Sequence, residues 1–507
     1  MARRVRPVLA VLALASLACG LRGSDVPSGA RAASGADSVA WWLTTPDSSQ
    51  RLALQPPVAL LRRETPDTGD STSGAAEVTR IDVDPAQAFQ SIVGFGAALT
   101  DASASLIHGA LPDSAREALL QELFGRDTLA GAAGISLSFV RLTIGASDFS
   151  RSHYSLDDLP AGAPVGARDD SLTHFSLAPA REHVLPLMQR ARELNPSLTV
   201  MATPWSAPAW MKSTHSLIQG TLRPDAYPAF AAYLQRFVAG FAAEGVPIAL
   251  LSVQNEPHFE PADYPGMRFP AAARATFLSH HLGPLLASRN PDTRVLDWDH
   301  NWDDPASPLA VLSDSAARRY VAGIAWHCYA GDVSAQSQVH DTYPEKDAYF
   351  TECAGGDWAP DWGENLRWNA RVLIIGATRN WARGVALWNL ALDERHGPHT
   401  GGCNDCRGVL TIDTRSGVVT RNPEYYALAH ASRFVRAGAR RIASASLAGD
   451  LKSVAFRNTD DGSRVLLVVN LTNASRTLQV HEVATGRAAT TFRAELPAGA
   501  VATFRWY

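Results

Sequence analysis

Short apolar runs alternate with segments of helical periodicity between residues 90 and 390. The runs are apolar on both faces, which is the pattern of strands buried in a parallel sheet. Between them, residues 113–124, 179–194 and 225–244 repeat apolar side chains at helical spacing. The predicted strands span 91–98, 135–144, 198–203, 248–255, 294–298, 321–327, 348–352 and 384–390. Eight strands that alternate with helices predict an α/β fold of the (β/α)8 TIM barrel type.

The two ends of the chain show a different pattern. Residues 39–61 and 77–83 read as strands, and the C-terminal part contains short strands separated by Asp-Gly and Pro-Ala-Gly turns. The C-terminal strands are predicted at 447–457, 464–471, 476–482 and 500–506. We therefore expect an accessory antiparallel β-sandwich domain built from the C-terminus and the N-terminal strands. The predicted limits are 39–84 for the N-terminal strands, 85–412 for the catalytic barrel and 413–507 for the β-sandwich domain.

The first 19 residues have the layout of an export signal peptide. Three arginines precede an apolar stretch at 8–18, which is shorter than the roughly 20 residues that a membrane-spanning helix needs. Cys19 makes a lipoprotein signal an alternative to ordinary secretion, although Ser16 stands where a lipobox normally has Leu. Residues 20–38, rich in Gly, Ser, Ala and Arg, predict a flexible linker. We expect an exported protein that is secreted, periplasmic or lipid-anchored at the cell envelope through Cys19.

Composition and missing motifs exclude several function classes. The 507 residues carry a net charge of −4, which gives no reason to expect nucleic acid or an anionic membrane surface as a partner. Gly94-Phe95-Gly96 begins a dinucleotide fingerprint, but Leu99 occupies the position of its third glycine. No lysine stands in a Walker A frame, and no Gly-x-Ser-x-Gly elbow occurs. We therefore expect no cofactor.

Two of the predicted strands end in a glutamate. Residues 248–257 read IALLSVQNEP and deliver Glu256, while residues 347–352 read DAYFTE and deliver Glu352. Side chains at the C-terminal ends of barrel strands line the rim that carries the active site. Each glutamate could instead cap the helix that follows its strand. As an opposed pair they predict glycoside hydrolysis, because a nearby negative charge raises the pKa of its partner and keeps one carboxyl protonated.

The other strand ends carry aromatic and polar side chains. Aromatic faces stack on the C–H-rich faces of sugar rings, and amides, imidazoles and carboxylates hydrogen-bond sugar hydroxyls. Core packing explains a single Trp equally well, but several at one rim favour a carbohydrate site. The rim residues are Asp101, Asp148, Trp205, Asn255, Glu256, His300, Trp302, His327, Tyr329, Glu352, Trp388 and Asn389.

The chain after residue 19 holds four cysteines, which permits two disulfides in an exported protein. They are Cys328, Cys353, Cys403 and Cys406. Cys328 and Cys353 follow neighbouring strands and can form a Cys328–Cys353 pair. With His396 and His399, the other two have the spacing H-x2-H-x3-C-x2-C, which resembles a zinc ligand set. A Cys403–Cys406 disulfide is the favoured interpretation, and a metal is the alternative.

Together these stretches resemble glycoside hydrolase family 30, the family of lysosomal-type glucosylceramidase and of bacterial β-1,6-glucanases and β-glucosidases. The matching stretches run in family order from about residue 90 to residue 415. They are GFGAALTDASA (94–104), FVRLTIGASDFS (139–150), ATPWSAPAWMK (202–212), SVQNEP (252–257), WHCY (326–329), FTEC (350–353) and WNLALD (388–393). The resemblance implies a (β/α)8 barrel with a β-sandwich built from both chain ends.

The resemblance also implies roles for individual residues. Glu256 is expected to be the acid/base, Glu352 the nucleophile, and Asn255 a ligand of the sugar 2-hydroxyl. The remaining substrate-binding residues are expected to be Asp148, Trp205 and Trp388 around the terminal glucose, and His327 and Tyr329 beside the nucleophile.

The expected activity is metal-independent, retaining hydrolysis of a β-glucan, a β-glucoside or a glucosylated lipid. Loop 393–407 contains GGCNDCRG and departs from the glucosylceramidase branch, which favours a glucan or glucoside over ceramide. One alternative is a family member directed at xylan or fucose. Another is a catalytically inactive carbohydrate-binding protein, which turnover of an aryl β-glucoside would exclude.

Overall fold

The computed structural model describes residues 38–63, 78–126, 134–164, 166–445, 449–483 and 489–507. The predicted signal peptide at 1–19 and all but the last residue of the predicted linker at 20–38 lie outside this range. Within it, no helix combines the length and apolar character that crossing a membrane requires.

Eight parallel strands close into a barrel, because the eighth pairs with the first through Gly384 and Gly94. Every predicted barrel strand is confirmed. In chain order they are Gly94–Leu99, Phe139–Ile144, Thr199–Pro204, Leu250–Ser252, Arg294–Asn301, Val321–His327, Asp347–Glu352 and Ala382–Leu387. The fourth strand is shorter than expected, and Asn255 and Glu256 follow it in an irregular segment held by backbone bonds to Pro204 and Asp299.

Helices surround the barrel. The helix Tyr227–Ala243 shows why they form there, since Phe230, Tyr233, Leu234 and Phe237 share one stripe and are buried in the core as the sequence predicts. The principal helices are Asp113–Phe124, Val184–Leu194, Tyr227–Ala243, Ala271–Phe277, Gly283–Arg289, Ala306–Ser313, Ala335–Thr342, Trp362–Trp368 and Pro423–Ser432. The π-helical turns Leu278–Leu282 and Asn369–Gly376 continue two of them.

A β-sandwich formed from both chain ends packs beside the barrel, as predicted. The long strand Val78–Ser91 links its two layers, because its first half pairs with Arg476–Glu482 and its second half with Arg440–Ser444. Phe492 of one layer contacts Phe504 and Trp506 of the other at centroid distances of 5.4 Å. The other sandwich strands of six or more residues are Ser38–Thr44, Leu451–Arg457, Arg464–Asn470, Ala489–Leu496 and Val501–Trp506. The sequence analysis missed the strands at 440–444 and 489–496.

The helix Pro423–Ser432 joins the barrel to the sandwich. It lies after residue 412, where the sequence analysis ends the barrel, and before the sandwich strand Arg440–Ser444. His430 on this helix is buried and lies 2.9 Å from Thr503 Oγ1 and 2.8 Å from Thr44 Oγ1. The hydroxyl of Thr503 donates to the backbone oxygen of His430, so Thr503 accepts from His430 Nδ1 and Thr44 donates to Nε2. Burial lowers the pKa of His430 to about 3, and the ring is neutral.

Candidate active site

The two glutamates meet at one imidazole nitrogen at the C-terminal mouth of the barrel. His327 Nδ1 lies 3.3 Å from Glu256 Oε1 and 3.8 Å from Glu352 Oε1. The helix-cap alternative does not describe either residue, because the principal helices after them begin only at Ala271 and Trp362. The strand ends therefore bring two carboxylates to the same cleft.

The backbone around Glu256 is strained. Glu256 has a φ of 45°, and its amide donates to the carbonyl of Asp299, which itself has a φ of 53°. A non-glycine residue in the left-handed region costs about 1–3 kcal/mol and persists only when its surroundings enforce it. Such strain is common at active sites, and here it turns Glu256 towards His327 after the fourth strand has ended.

Arg141 is a fully buried cation beneath the two carboxylates. It donates to Glu352 Oε2 in a short ion pair, to Asn255 Oδ1 at 2.7 Å and to Asp299 Oδ2 at 2.9 Å. Arg141 is not among the site residues predicted from the sequence, although a charged residue inside the apolar strand FVRLTI is a visible signal. The guanidinium thus links the segment that follows the fourth strand to the C-terminal parts of the fifth and seventh strands.

Asp299 is the second buried charge that the sequence analysis did not select. It accepts hydrogen bonds from Thr351 at 2.7 Å and Thr203 at 3.0 Å, and His327 Nε2 lies 3.0 Å from its Oδ1. Burial alone would raise the pKa of Asp299, but the Arg141 charge and these hydrogen bonds hold it well below its usual range. Asp299 is therefore ionised and fixes the orientation of the His327 ring.

Glu352 has the partners of an ionised carboxylate. Besides Arg141 at Oε2, its Oε1 accepts from the Tyr329 hydroxyl at 3.0 Å. Burial raises the pKa of Glu352 above its ordinary value, and the charges of His327 and Arg141 act in the opposite direction. The direct ion pair with Arg141 decides its state, because guanidinium stays charged throughout the accessible pH range.

Glu256 has a different environment, made of imidazoles. His327 Nδ1 and His300 Nδ1 lie 3.3 and 3.5 Å from its Oε1. Burial raises the pKa of Glu256, but its hydrogen bonds to the two histidines outweigh burial and lower it to about 2. Burial lowers the pKa of His327, whereas the neighbouring carboxylates, led by Glu352, raise it to about 9. In this arrangement the mobile proton is therefore on His327, directly beside Glu256.

Asp148, Trp205 and Trp388, which the resemblance assigns to the terminal glucose, lie together on one side of the site. The two indoles stack at 5.0 Å, and Arg141 lies over the Trp205 ring at 4.8 Å. Both indoles are only 2–3% exposed, so they form a wall rather than a free platform. Burial, with the charges of Glu352 and Glu256, raises the pKa of Asp148 to about 8. Among the described residues, Asp148 Oδ1 has no hydrogen-bond partner, which leaves it available to a ligand.

Loop 393–407 closes this side. The amide of Thr400 donates to the Asp148 carbonyl at 2.8 Å, and the amide of Gly402 donates to Asp263 Oδ2 at 3.0 Å. Gly402 has a φ of 73°, and a Cβ there would lie 3.1 Å from Asp148 and 3.2 Å from Tyr264. Glycine is therefore needed both for the turn and for the close approach. The loop spans the mouth from Asp148 to Asp263.

The cysteines of this loop form a disulfide rather than a zinc site. Cys403 is bonded to Cys406, His396 Nδ1 lies 3.1 Å from the Cys406 carbonyl oxygen, and His399 packs edge-on against Phe149. The four side chains with zinc-like spacing do not converge on one point. A second disulfide joins Cys328 to Cys353, behind Tyr329 and Glu352.

Three of the predicted rim residues lie elsewhere. Asp101 pairs with Arg151, and Trp302 packs in the core, where its indole donates to Gln336. Asn389 is buried and accepts from Thr100. These residues stand at strand ends in the sequence, but their side chains do not point into the mouth.

Two family profiles cover most of the chain. The glycosyl hydrolase family 30 TIM-barrel domain matches residues 92–435, and the family 30 beta sandwich domain matches residues 438–504. The chain is 35% identical to an endo-1,6-beta-D-glucanase of Neurospora crassa, over 80% of this chain and 84% of that one. It is 31% identical to a putative glucosylceramidase 2 of Caenorhabditis elegans, with 76% of each chain covered.

Comparison with solved structures supports the same family. A solved endo-beta1,6-glucanase structure superposes with a TM-score of 0.80 at 29% identity, covering 92% of this chain and 99% of that chain. A domain match over both the barrel and the sandwich, together with these relatives, identifies the family. This chain belongs to glycosyl hydrolase family 30.

Proposed function

We propose that this protein hydrolyses β-glucosidic bonds with retention, with Glu352 as nucleophile and Glu256 as acid/base. These roles are supported by the different side chains that surround the two glutamates. Glu352 is paired with a permanent cation, Arg141, which suits an ionised nucleophile. Glu256 faces two imidazoles that can give and take a proton.

In the first step, a Glu352 oxygen attacks the anomeric carbon and forms a glycosyl ester. The bond from that carbon to the glycosidic oxygen breaks, and the oxygen receives its proton from Glu256. In the second step Glu256 removes a proton from water, the water oxygen attacks the anomeric carbon, and Glu352 leaves as a carboxylate.

The low pKa of Glu256 is opposite to what a proton donor needs, and His327 can supply the missing proton. Its Nδ1 is 3.3 Å from Glu256 Oε1, so one short transfer along this contact protonates the acid. His327 then remains neutral, with Nε2–H directed at Asp299. The geometry, rather than the pKa of Glu256, supports the assignment of roles.

The two sides of the mouth support a division between sugar and leaving group. Asp148 follows the second barrel strand and Tyr329 follows the sixth, which are opposite each other in an eight-stranded barrel. Beside Tyr329 lies a cavity of about 430 Å³ that is also lined by Trp358, a side chain with 56% exposure. An exposed indole of this kind can stack on a sugar ring. We assign the reacting glucose to the Asp148 side and the leaving glucan to the cavity.

Glutamine variants test the assignment. Glu352→Gln is expected to abolish turnover of β-glucosides. Glu256→Gln is expected to spare kcat/KM for β-glucosyl fluoride, which reports the first step and whose leaving group needs no proton, while lowering kcat/KM for aryl glucosides with poor leaving groups at least about 100-fold. Glu345→Gln, on the surface, is the matched control. Near-wild-type activity of Glu352→Gln would overturn the assignment, and an α-anomer as first product in NMR would overturn retention.

The substrate is tested with a panel of β-1,6-glucan, glucosylceramide, aryl β-glucosides and xylan. We propose a β-glucan as the preferred substrate, because loop 393–407 and two endo-1,6-beta-D-glucanases that are each 35% identical to this chain both favour it. A higher kcat/KM on glucosylceramide or xylan than on β-1,6-glucan would contradict the proposed substrate but not the proposed mechanism. Activity on none of the substrates would favour the inactive carbohydrate-binding alternative.

We also propose that the protein is exported, with Cys19 as a lipid attachment site. The support is the N-terminal sequence alone: a basic start, a short apolar stretch and a cysteine at its end. Mass spectrometry of the mature N-terminus, after expression in a bacterium with a lipoprotein pathway, tests both claims. A chain that retains Met1 would contradict export, and a free Cys19 thiol would contradict the anchor.

A further inference from the structure

Glu256, His300 and His327 present three metal-ligand atoms to one point. Their ligand atoms all lie within 4.8 Å of one another, and two of the three separations are 3.3 and 3.5 Å. A tetrahedral zinc ion with bonds of about 2.0–2.2 Å holds its ligand atoms roughly 3.3–3.6 Å apart. Two of the three edges of such a site are therefore already at the required length.

The hydrogen bond behind His327 has the form found at metal sites. A metal-ligating histidine usually directs its other ring nitrogen at a carboxylate, which fixes the tautomer and the ring orientation. His327 Nε2 lies 3.0 Å from Asp299 Oδ1, and Thr351 holds that same oxygen at 2.7 Å. This contact directs Nδ1 at Glu256, and a metal ion bound at Nδ1 would displace the proton that this nitrogen carries.

His300 supplies the third ligand at little cost. Its Nδ1 is buried and makes one weak contact, 3.5 Å from Glu256 Oε1. The ring packs against Trp298 at 5.0 Å, which restricts its orientation. A metal ion between the two atoms would replace this weak contact.

Two imidazole nitrogens and one carboxylate oxygen form a donor set suited to zinc and to similar transition metals rather than to calcium or magnesium. We propose that Glu256, His300 and His327 bind one Zn²⁺ ion and that this ion inhibits the enzyme. The ion coordinates Glu256 Oε1, the oxygen that faces both histidines, so Glu256 cannot donate to the leaving group. Zinc binding does not depend on the proposed function, whereas inhibition by zinc rests on it.

Direct binding tests the site without requiring activity. In calorimetric titration of the full chain with ZnCl2, we expect one zinc ion bound through these residues. His300→Gln removes one of three ligands and is expected to weaken binding at least about tenfold, because loss of even an outer hydrogen-bond partner costs 10–100-fold. His258→Gln is the matched control, since His258 also packs on Trp298 but pairs with Asp304 instead of Glu256. Its zinc affinity should equal that of the wild type.

Absence of zinc binding to the wild type, or equal affinity of the wild type and His300→Gln, would overturn the site. Glu256→Gln provides an independent ligand deletion if His300→Gln does not fold, as judged by circular dichroism. In the activity assay, ZnCl2 should inhibit glucoside hydrolysis, EDTA should restore it, and His300→Gln should need at least about tenfold more zinc. Zinc binding without inhibition would overturn the inhibition. Zinc binding to a protein with no activity at all would overturn the proposed function and leave the site.

Discussion

Arg141→Met isolates the effect of the buried cation on the nucleophile. Methionine keeps an apolar stem under Trp205 but removes the charge in contact with Glu352 and Asp299. Two unit charges about 4 Å apart, at an effective dielectric constant of about 20, interact by about 4 kcal/mol. Loss of this interaction favours the protonated carboxyl, so Arg141→Met should raise the pKa of Glu352 further.

The sign of the effect follows from the role of Glu352. The nucleophile must be ionised, so its pKa sets the acid limb of the kcat/KM profile, and a higher pKa moves that limb to higher pH. An interaction of about 4 kcal/mol corresponds to about 1000-fold in the ionisation constant of Glu352. On the plateau of the wild type, about one pH unit or more above its acid limb, the variant should therefore lose up to about 100-fold in kcat/KM and recover part of it as the pH rises. Initial rates on an aryl β-glucoside between pH 4 and 9 measure this shift.

Arg274→Met separates this electrostatic effect from a loss of folding. Arg274 is also fully buried, pairs with Asp297 at 2.7 Å and packs on Trp298, but it does not contact Glu256 or Glu352. Breaking either buried pair should lower the free energy of unfolding by about 3–5 kcal/mol. Only Arg141→Met should move the acid limb. An unchanged limb in a folded Arg141→Met protein would refute the role that we give to the guanidinium.

Two further predictions concern the cavity and the barrel–sandwich junction. Trp358→Ala should lower kcat/KM on a β-glucan about 3–10-fold through loss of stacking and should leave β-glucosyl fluoride unaffected; an equal loss on both would contradict a leaving-side role. Because the pKa of His430 is about 3 when folded and about 6.5 when unfolded, the unfolded chain binds the extra proton, and His430 should lower stability by about 2 kcal/mol between pH 7 and 5. Urea unfolding at both pH values should show that His430→Gln lacks this fall; an identical fall would contradict it.

The sequence predicts the eight barrel strands and the convergence of Glu256 and Glu352 because both depend on local patterns. An apolar run sets each strand, and the shared mouth of a barrel brings the strand ends together. The role of Arg141 depends instead on partners up to 211 residues away, which no local window contains. Side-chain direction is equally non-local: Trp302 follows a strand whose end is turned by the left-handed backbone of Trp298 and Asp299, and its ring enters the core.

The pairing of the first and last strands of the sandwich has a consequence for synthesis of the chain. Ser38–Thr44 takes its place beside Val501–Trp506, with Trp42 opposite Thr503. At roughly 5–20 residues per second, the ribosome needs about half a minute to a minute and a half to make the segment between them. Until Val501–Trp506 has been made, the edge of the N-terminal strand that pairs with it stays unpaired, and such an edge is prone to pairing with other chains. Deleting only Val501–Trp506 therefore exposes an edge at the opposite end of the sequence.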